Sequence, residues 1–419
     1  MRVCRHPSPI DGQGEPKEWG ASVSAQPVIV VAGHICLDII PAFRESDAGL
    51  DRLLVPGKLV DVGAAVLSTG GAVPNTGLTL HRLGGTVRLL GKIGNDHLGN
   101  IVRALLEQAG PGLGSRLVVG CEPTSYTIVI SPPGTDRVFL HCPGANDAFG
   151  PDDVSEGNLR DAALLHFGYP PLMRRMYEQG GAELLTLLRR VKAGGATTSL
   201  DMARPDPDSP AGRVDWPALI ERVLPHVDVF LPSFEELLFM LDRPRFERIE
   251  ARYGTRITAG AEPGLLDELA GRLLALGAAV VAIKLGERGL YLATTPERRR
   301  VEAMGRARLG SDWIARQLMT PCYQAAVLGT TGSGDCTIAG FLMGLLGRLS
   351  PEQAINAAVA VGACSVEQAD ATSGVPSWRQ VMARQANGWS RLDDTSPAPD
   401  WVRLDSGAWR GPRDGWVCP

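Results

Sequence analysis

Aromatic side chains are scarce in this sequence, 5% of 419 residues, so a core has to be assembled from Ala, Val, Leu and Ile within a hydrophobic fraction of 44%. No apolar run approaches the roughly 18 residues that a membrane-crossing helix needs. Basic charge is not in excess. The 42 Lys and Arg against 46 Asp and Glu leave a net charge of −4, which argues against a general nucleic-acid surface. The one basic run, Arg298-Arg299-Arg300, is flanked by acidic residues and reads as a solvated loop. The eight cysteines include no CxxC pair and no zinc-like spacing, and several stand inside apolar runs, as small buried hydrophobes of a reducing compartment do. Met1 to Gln26 is polar, broken by Pro and Gly, and holds no apolar stretch of signal-peptide length. These absences predict a soluble, cytoplasmic protein with a flexible leader over residues 1–26 and neither nucleic-acid nor membrane partners. A Walker P-loop is missing too: no glycine stands five residues before Gly91-Lys92, and Ile93 occupies the place of the required Ser or Thr.

What is present is glycine and proline in quantity, 50 and 31 residues, spread between periodic segments in the manner of many tight turns. Short β-branched or apolar runs at Val28–Ala32, Val87–Leu90, Ala163–Gly168, Thr197–Asp201, Val227–Pro232 and Ala279–Lys284 read as strands. Between them lie helical patterns, among them Leu98 to Ala109 closed by Gly110, Ala182 to Val191, and Leu265 to Leu276. Strands alternating with helices predict a mostly parallel sheet covered on both faces, with ligands at the carboxyl ends of the strands. Asp38, Asp201, Glu236 and Asp335 all fall at that end of a unit. One segment differs: Tyr126–Ile130 and Arg137–His141, joined by a Pro-Pro-Gly turn, form a hairpin that stands apart from the main sheet.

The segment most suggestive of chemistry is Thr330-Thr331-Gly332-Ser333-Gly334-Asp335, followed at once by an apolar helix. A glycine turn delivering backbone N–H groups to a helix start makes an anion site. A carboxylate beside that site is either a base for phosphoryl transfer or simply a helix cap. A second turn, Thr69-Gly70-Gly71-Ala72-Val73-Pro74-Asn75, lets a ligand approach the backbone, offers Asn75 as donor and acceptor, and leads to a helix from Thr76 to Leu83. Ser350-Pro351-Glu352-Gln353 starts a further helix with a small-residue face of Ala354, Ala357, Ala358 and Val361.

Taken in order, these parts resemble the ribokinase-like (PfkB) family of carbohydrate kinases over roughly residues 27–380. The Gly70–Asn75 turn with Gly91–Gly99 is similar to the family's N-terminal signature, and Thr330–Asp335 to its C-terminal one. The resemblance implies a three-layer α/β/α ribokinase-like domain over 27–380 with a small β lid (segments about 41–69 and 121–146); the polar remainder, 381–419, reads as a C-terminal extension that docks or stays mobile. It implies transfer of the ATP γ-phosphoryl group to a hydroxymethyl group of a sugar or sugar derivative, with Mg2+. A nucleoside kinase of the same fold and a binding protein that has lost catalysis are the alternatives. Asp335 would be the general base, and the Gly332, Ser333 and Gly334 amides would hold phosphate charge. Asp38, Gly70, Gly71 and Asn75 would bind the acceptor. Lys284, Gly286, Thr331 and Arg204 would contact the nucleotide, and Glu236 would organise magnesium through water. The chain departs from the family pattern at Ser233, in place of the usual Asn, at Lys284, in place of the commoner Thr, and at Gly329, in place of an Asp that helps bind a monovalent cation, so potassium activation stays open. The apolar hairpin around Ile128 and Phe139 suggests a homodimer through the lid.

Overall fold

The structure is a computed structural model and describes residues 26–43, 50–53, 55–132, 138–393 and 395–415. Of the expected leader only Gln26 is therefore described, and residues 133–137 of the expected hairpin lie outside the described residues. Strands come in chain order as β1 (Val28–Gly33), β2 (Cys36–Pro41), β3 (Ala65–Gly70), β4 (Thr86–Leu90), β5 (Lys92–Gly94), β6 (Val118–Gly120), β7 (Tyr126–Ile130) and β8 (Val138–Cys142). The second half adds β9 (Ala162–Gly168), β10 (Thr197–Leu200), β11 (Val229–Phe230), β12 (Val280–Lys284), β13 (Leu290–Thr294), β14 (Gln317–Thr320), β15 (Val402–Arg403) and β16 (Trp409–Arg410). The helices are α1 (Leu50–Leu53), α2 (Ala72–Arg82), α3 (His97–Ala109), α4 (Glu156–Leu159), α5 (Arg174–Ala193), α6 (Trp216–Val223) and α7 (Phe234–Leu241). They continue as α8 (Arg243–Tyr253), α9 (Pro263–Ala275), α10 (Arg298–Glu302), α11 (Ser333–Leu346), α12 (Pro351–Ser365) and α13 (Trp378–Ala386).

Ten strands form the main sheet in the order β15-β16-β14-β13-β12-β11-β10-β9-β1-β4. From β4 to β12 the pairs are parallel; β13, β14, β16 and β15 add antiparallel strands on one side. Side chains alternate between faces, and both faces are covered. Ile29 and Val31 of β1 pack with α2, α11 and α12, whereas Val30 and Ala32 face the core shared by α5, α6, α7 and α9. The two-faced burial explains why these strands read as unbroken apolar runs. The Ala-rich face of α12 meets glycines of α11: a Cβ on Gly344 would lie 3.1 Å from Ala354 Cα, and one on Gly340 would lie 2.9 Å from Val361 Cβ. With few aromatics available, small residues bring these backbones together.

A separate four-stranded sheet has the order β3-β2-β7-β8. The expected hairpin is its β7–β8 pair, and β2 joins it in parallel through β7. Registers place Leu67, Ile39, Ile128 and Leu140 in one row across the sheet, and Ser68, Asp38, Thr127 and His141 in the neighbouring row. Since successive residues face opposite ways, these two rows lie on opposite faces, and the face bearing Asp38 also carries the apolar pairs Ile40–Val66 and Val129–Phe139.

Several local expectations need correction. Helix α2 starts at Ala72, four residues before Thr76, because Gly71 at φ 93° makes the turn and Asn75 already lies inside the first helical turn. Arg298-Arg299-Arg300 is no loop: it opens α10, and Arg300 Nη1 pairs at 2.7 Å with Asp228, a fully buried side chain that also takes Lys192 Nζ at 2.5 Å. Within 381–419, α13 runs on to Ala386, Trp401 is buried, and β15 and β16 extend the main sheet beside β14. The stretch Arg174–Ala193 is broken at Glu178–Gly181, so regular helix begins at Ala182 as its sequence suggests.

Candidate active site

The glycine turn before α11 has the geometry its sequence requires. Gly332 caps the helix in the left-handed region, φ 72°, and a Cβ there would lie 2.5 Å from Ala371 Cβ. The Ser333 amide and hydroxyl both donate to Thr330 O, at 3.3 and 3.0 Å, so Ser333 shapes the turn. The Gly334 amide belongs to the first helical turn, where donors lack intrahelical acceptors. Asp335 follows it and is buried, 2% exposed. It does not cap its own helix; it is held by other elements. Asn75 Nδ2 donates to Oδ2 at 2.9 Å, Tyr169 Oη donates to the same oxygen at 2.8 Å, and Thr76 Oγ1 reaches Oδ1 at 3.4 Å. Burial raises the Asp335 pKa above the usual carboxylate value, while Asn75, Lys284, Tyr169 and Thr76 oppose the rise. A buried carboxylate with raised proton affinity beside unpaired helix amides can take a proton next to a bound anion.

Lys284 ends β12 on the same side. Its Nζ contacts Asp201 Oδ1 at 2.6 Å and would lie 3.9 Å from a Cβ on Gly334. Burial alone would lower the Lys284 pKa, but Asp201 and Glu236 outweigh it and raise it, so the side chain is an ammonium. Asp201 Oδ2 is buried without a hydrogen-bond partner among the described residues, as is Nε2 of His166, whose Nδ1 meets Ser199 Oγ at 3.0 Å. Glu236 is the third carboxylate. It closes a capping box on α7, with Ser233 N donating to Oε2 at 2.6 Å and Glu236 N donating to Ser233 Oγ at 3.2 Å. Three carboxylates thus surround one ammonium. Among the described residues, no group of three or more His, Cys, Asp or Glu side chains converges closely enough to hold a metal by itself. Mg2+ fits this donor set only in its usual form, through waters and substrate phosphates, with Glu236 and the unpartnered Asp201 oxygen as the carboxylates available.

The row of the second sheet that holds Asp38, Thr127 and His141 continues the site. Cys36 Sγ donates to Asp38 Oδ1 at 3.3 Å, Thr127 Oγ1 meets His141 Nδ1 at 3.0 Å, and His141 Nε2 meets His34 Nε2 at 3.3 Å. The His34 ring lies 6.1 Å from that of Tyr169. Burial, with a smaller contribution from His141, lowers the His34 pKa to about 3, so this ring is neutral. Gly70 and Gly71 lie against these groups: a Cβ on Gly70 would be 2.6 Å from Asp38 Cγ, and one on Gly71 would be 2.7 Å from His34 O.

Of the residues singled out by sequence, Asp335, Gly332, Gly334, Asn75, Lys284 and Glu236 gather around the start of α11, with Asp38, Gly70 and Gly71 linked to them through His141, His34 and Tyr169. Gly286 and Thr331 flank this region, in the turn after β12 and in the turn before α11. Arg204 is engaged elsewhere, with Glu235 at 2.7 Å and Glu250 at 3.8 Å. Gly329 is confined: a Cβ there would lie 2.7 Å from Ala369 O, so a side chain requires a backbone shift. Sequence reasoning missed Tyr169, Thr76, His34 and His141. Tyr169 precedes Pro170, a context that favours extended backbone, yet it adopts φ 64°, ψ 46°. No local signal announces that.

The sequence matches the family described as pfkB family carbohydrate kinase over residues 27–378. It is 25% identical over 299 residues to an "uncharacterized sugar kinase" of Archaeoglobus fulgidus, covering 71% of this chain and 98% of that protein. It is 23% identical over 362 residues to a fructokinase of Vibrio alginolyticus, covering 84% and 97%. Among solved structures, the ribokinase of Arabidopsis thaliana complexed with ribose and ATP superposes with a TM-score of 0.62 at 19% identity, covering 86% of this chain and 98% of that one.

Proposed function

Because the chain belongs to the pfkB family of carbohydrate kinases, we propose that it transfers the γ-phosphoryl group of ATP to a hydroxymethyl group of a sugar or sugar derivative, with Asp335 as general base. The observation that carries this reading is the placement of a buried carboxylate, held by Asn75 and Thr76 of α2 and by Tyr169 just after β9, at the glycine-rich start of α11. In the reaction the acceptor hydroxyl gives its proton to Asp335 as its oxygen bonds to the γ-phosphorus, and the bridging bond to ADP breaks. The α11 amides, with Gly332 and Gly334 at the turn, and the Lys284 ammonium hold the charge that spreads over the phosphoryl oxygens. Glu236 and Asp201 would hold magnesium through water, and the ion would supply further neutralisation of phosphate charge. Asp38 and the Gly70-Gly71 backbone orient the acceptor hydroxyls beneath the second sheet, which acts as the cover, and Gly286 and Thr331 border the nucleotide. Arg204 would reach the nucleotide only by leaving Glu235 and Glu250.

The apolar row Leu67, Ile39, Ile128 and Leu140, whose ends Leu67 and Leu140 are exposed, supports a homodimer built on that sheet. A coupled ADP-release screen over sugars, sugar acids and nucleosides tests the activity. Asp335→Asn is expected to keep the fold and ATP binding and to lower turnover by about 10²–10⁴, the usual worth of a positioned base. Undiminished turnover in that variant would remove Asp335 from the role.

A further inference from the structure

Asp335 has two carboxylate oxygens, and they are not equivalent. Both strong donors, Asn75 Nδ2 at 2.9 Å and Tyr169 Oη at 2.8 Å, converge on Oδ2. Oδ1 has only the long 3.4 Å contact from Thr76. Asn75 comes from α2, whose first turn packs on the end of β9. Tyr169 follows β9 directly and reaches Asp335 by a costly route. It is a non-glycine residue in the left-handed region, and it precedes a proline that disfavours any but extended backbone. Strain of this kind persists only where surrounding structure over-determines it, and it gathers at functional sites. Here it turns the phenol inward, between the His34 ring and Asp335. Burial, and after it the charge of Asp335, raise the phenol pKa well above the usual value, so the group remains an O–H donor.

We infer that Tyr169 is a positioning residue for the phosphoryl transfer: together with Asn75 it fixes Oδ2 of Asp335 and leaves Oδ1 as the atom that takes the proton from the acceptor hydroxyl. The inference rests on Asp335 being the base. The proton leaves the hydroxyl for Oδ1, the hydroxyl oxygen forms the new bond to the γ-phosphorus, and the electron pair of the breaking bond stays with the ADP oxygen. The Tyr169 hydrogen bond stabilises the carboxylate form, so its loss raises the Asp335 pKa further. The charged groups facing Asp335 from other elements, Lys284, Asp201 and Glu236, remain in place when the phenol is removed, so the change belongs to Tyr169 alone.

The test is Tyr169→Phe, which keeps the ring and removes the donor. In the full-length protein labelled with carboxyl-13C aspartate, the resonance absent from Asp335→Asn identifies Asp335 without need of any acceptor. Its titration midpoint is expected to rise by about one pH unit in Tyr169→Phe. With ATP and D-fructose or D-ribose as acceptor probes, kcat at pH 7 is expected to fall about tenfold, the loss of a hydrogen bond to a charged group. The acid limb of the kcat profile moves to higher pH, and the KM for ATP stays within about twofold. A folded Tyr169→Phe whose Asp335 titrates as in the wild type overturns the inference, as does an unmoved acid limb. The failures separate: if Asp335→Asn turns over normally, the base reading falls, whereas an inactive Asp335→Asn beside an unchanged Tyr169→Phe removes only Tyr169.

Discussion

Two duties meet in the carboxylate of Glu236. One oxygen accepts the Ser233 amide and so starts α7; the group as a whole adds to the negative charge around Lys284. These duties can be separated, because glutamine also closes a capping box. Glu236→Gln is therefore expected to unfold at the wild-type temperature while requiring several-fold more magnesium for half-maximal turnover. An unchanged magnesium titration would leave Glu236 with only its structural part. At this scale the sequence was most informative about residues that act through their own local motif. The Gly332–Gly334 turn and the Ser350–Gln353 cap could both be read directly, since each depends on neighbours within four positions. Tyr169 and His34 could not be read that way, because their partners Asp335 and His141 lie more than a hundred residues away in the chain.

Among elements, the clearest correction concerns α10 and the end of β11. A basic run beside acidic residues reads as solvated surface, yet Arg300 reaches Asp228, whose other neighbours are Lys192 and the amide and hydroxyl of Thr198. Asp228 ties α5, β10 and α10 together from a position with no solvent exposure. Removing a buried charge's partner leaves the rest unpaired and typically costs about 3–5 kcal/mol. Since Lys192 and Arg300 keep some exposure, Asp228→Ala is expected to lose about 3 kcal/mol, near the lower bound. Urea unfolding measures it, and a loss below 1 kcal/mol would show that the three charges relax into water instead. The boundaries of α2 teach a related lesson. The sequence places Asn75 in the turn ahead of a helix from Thr76, whereas the positive φ of Gly71 makes the turn and draws Asn75 into the helix, where its side chain meets Asp335 of α11.

For the molecule as a whole, the second sheet carries the Asp38 row on the face that meets the site and the row ending in Leu67 and Leu140 on its other face. Leu67 is 40% and Leu140 51% exposed in the isolated chain. A contiguous apolar row on a sheet face marks an interaction surface. Light scattering is expected to give about twice the mass of the chain, and Leu67→Lys with Leu140→Lys to halve it. A monomeric wild type would dispose of the homodimer. The sequence by itself determined the alternation of strands and helices, the two glycine turns and the family, because burial on both sheet faces and positive backbone angles leave local marks. Only the tertiary structure decided which groups hold Asp335, which of its oxygens takes the short hydrogen bonds, where Arg204 and Arg300 find their counter-charges, and how the C-terminal strands extend the sheet. Those are contacts between distant segments, and each depends on side-chain direction rather than residue type, which no periodicity or spacing encodes.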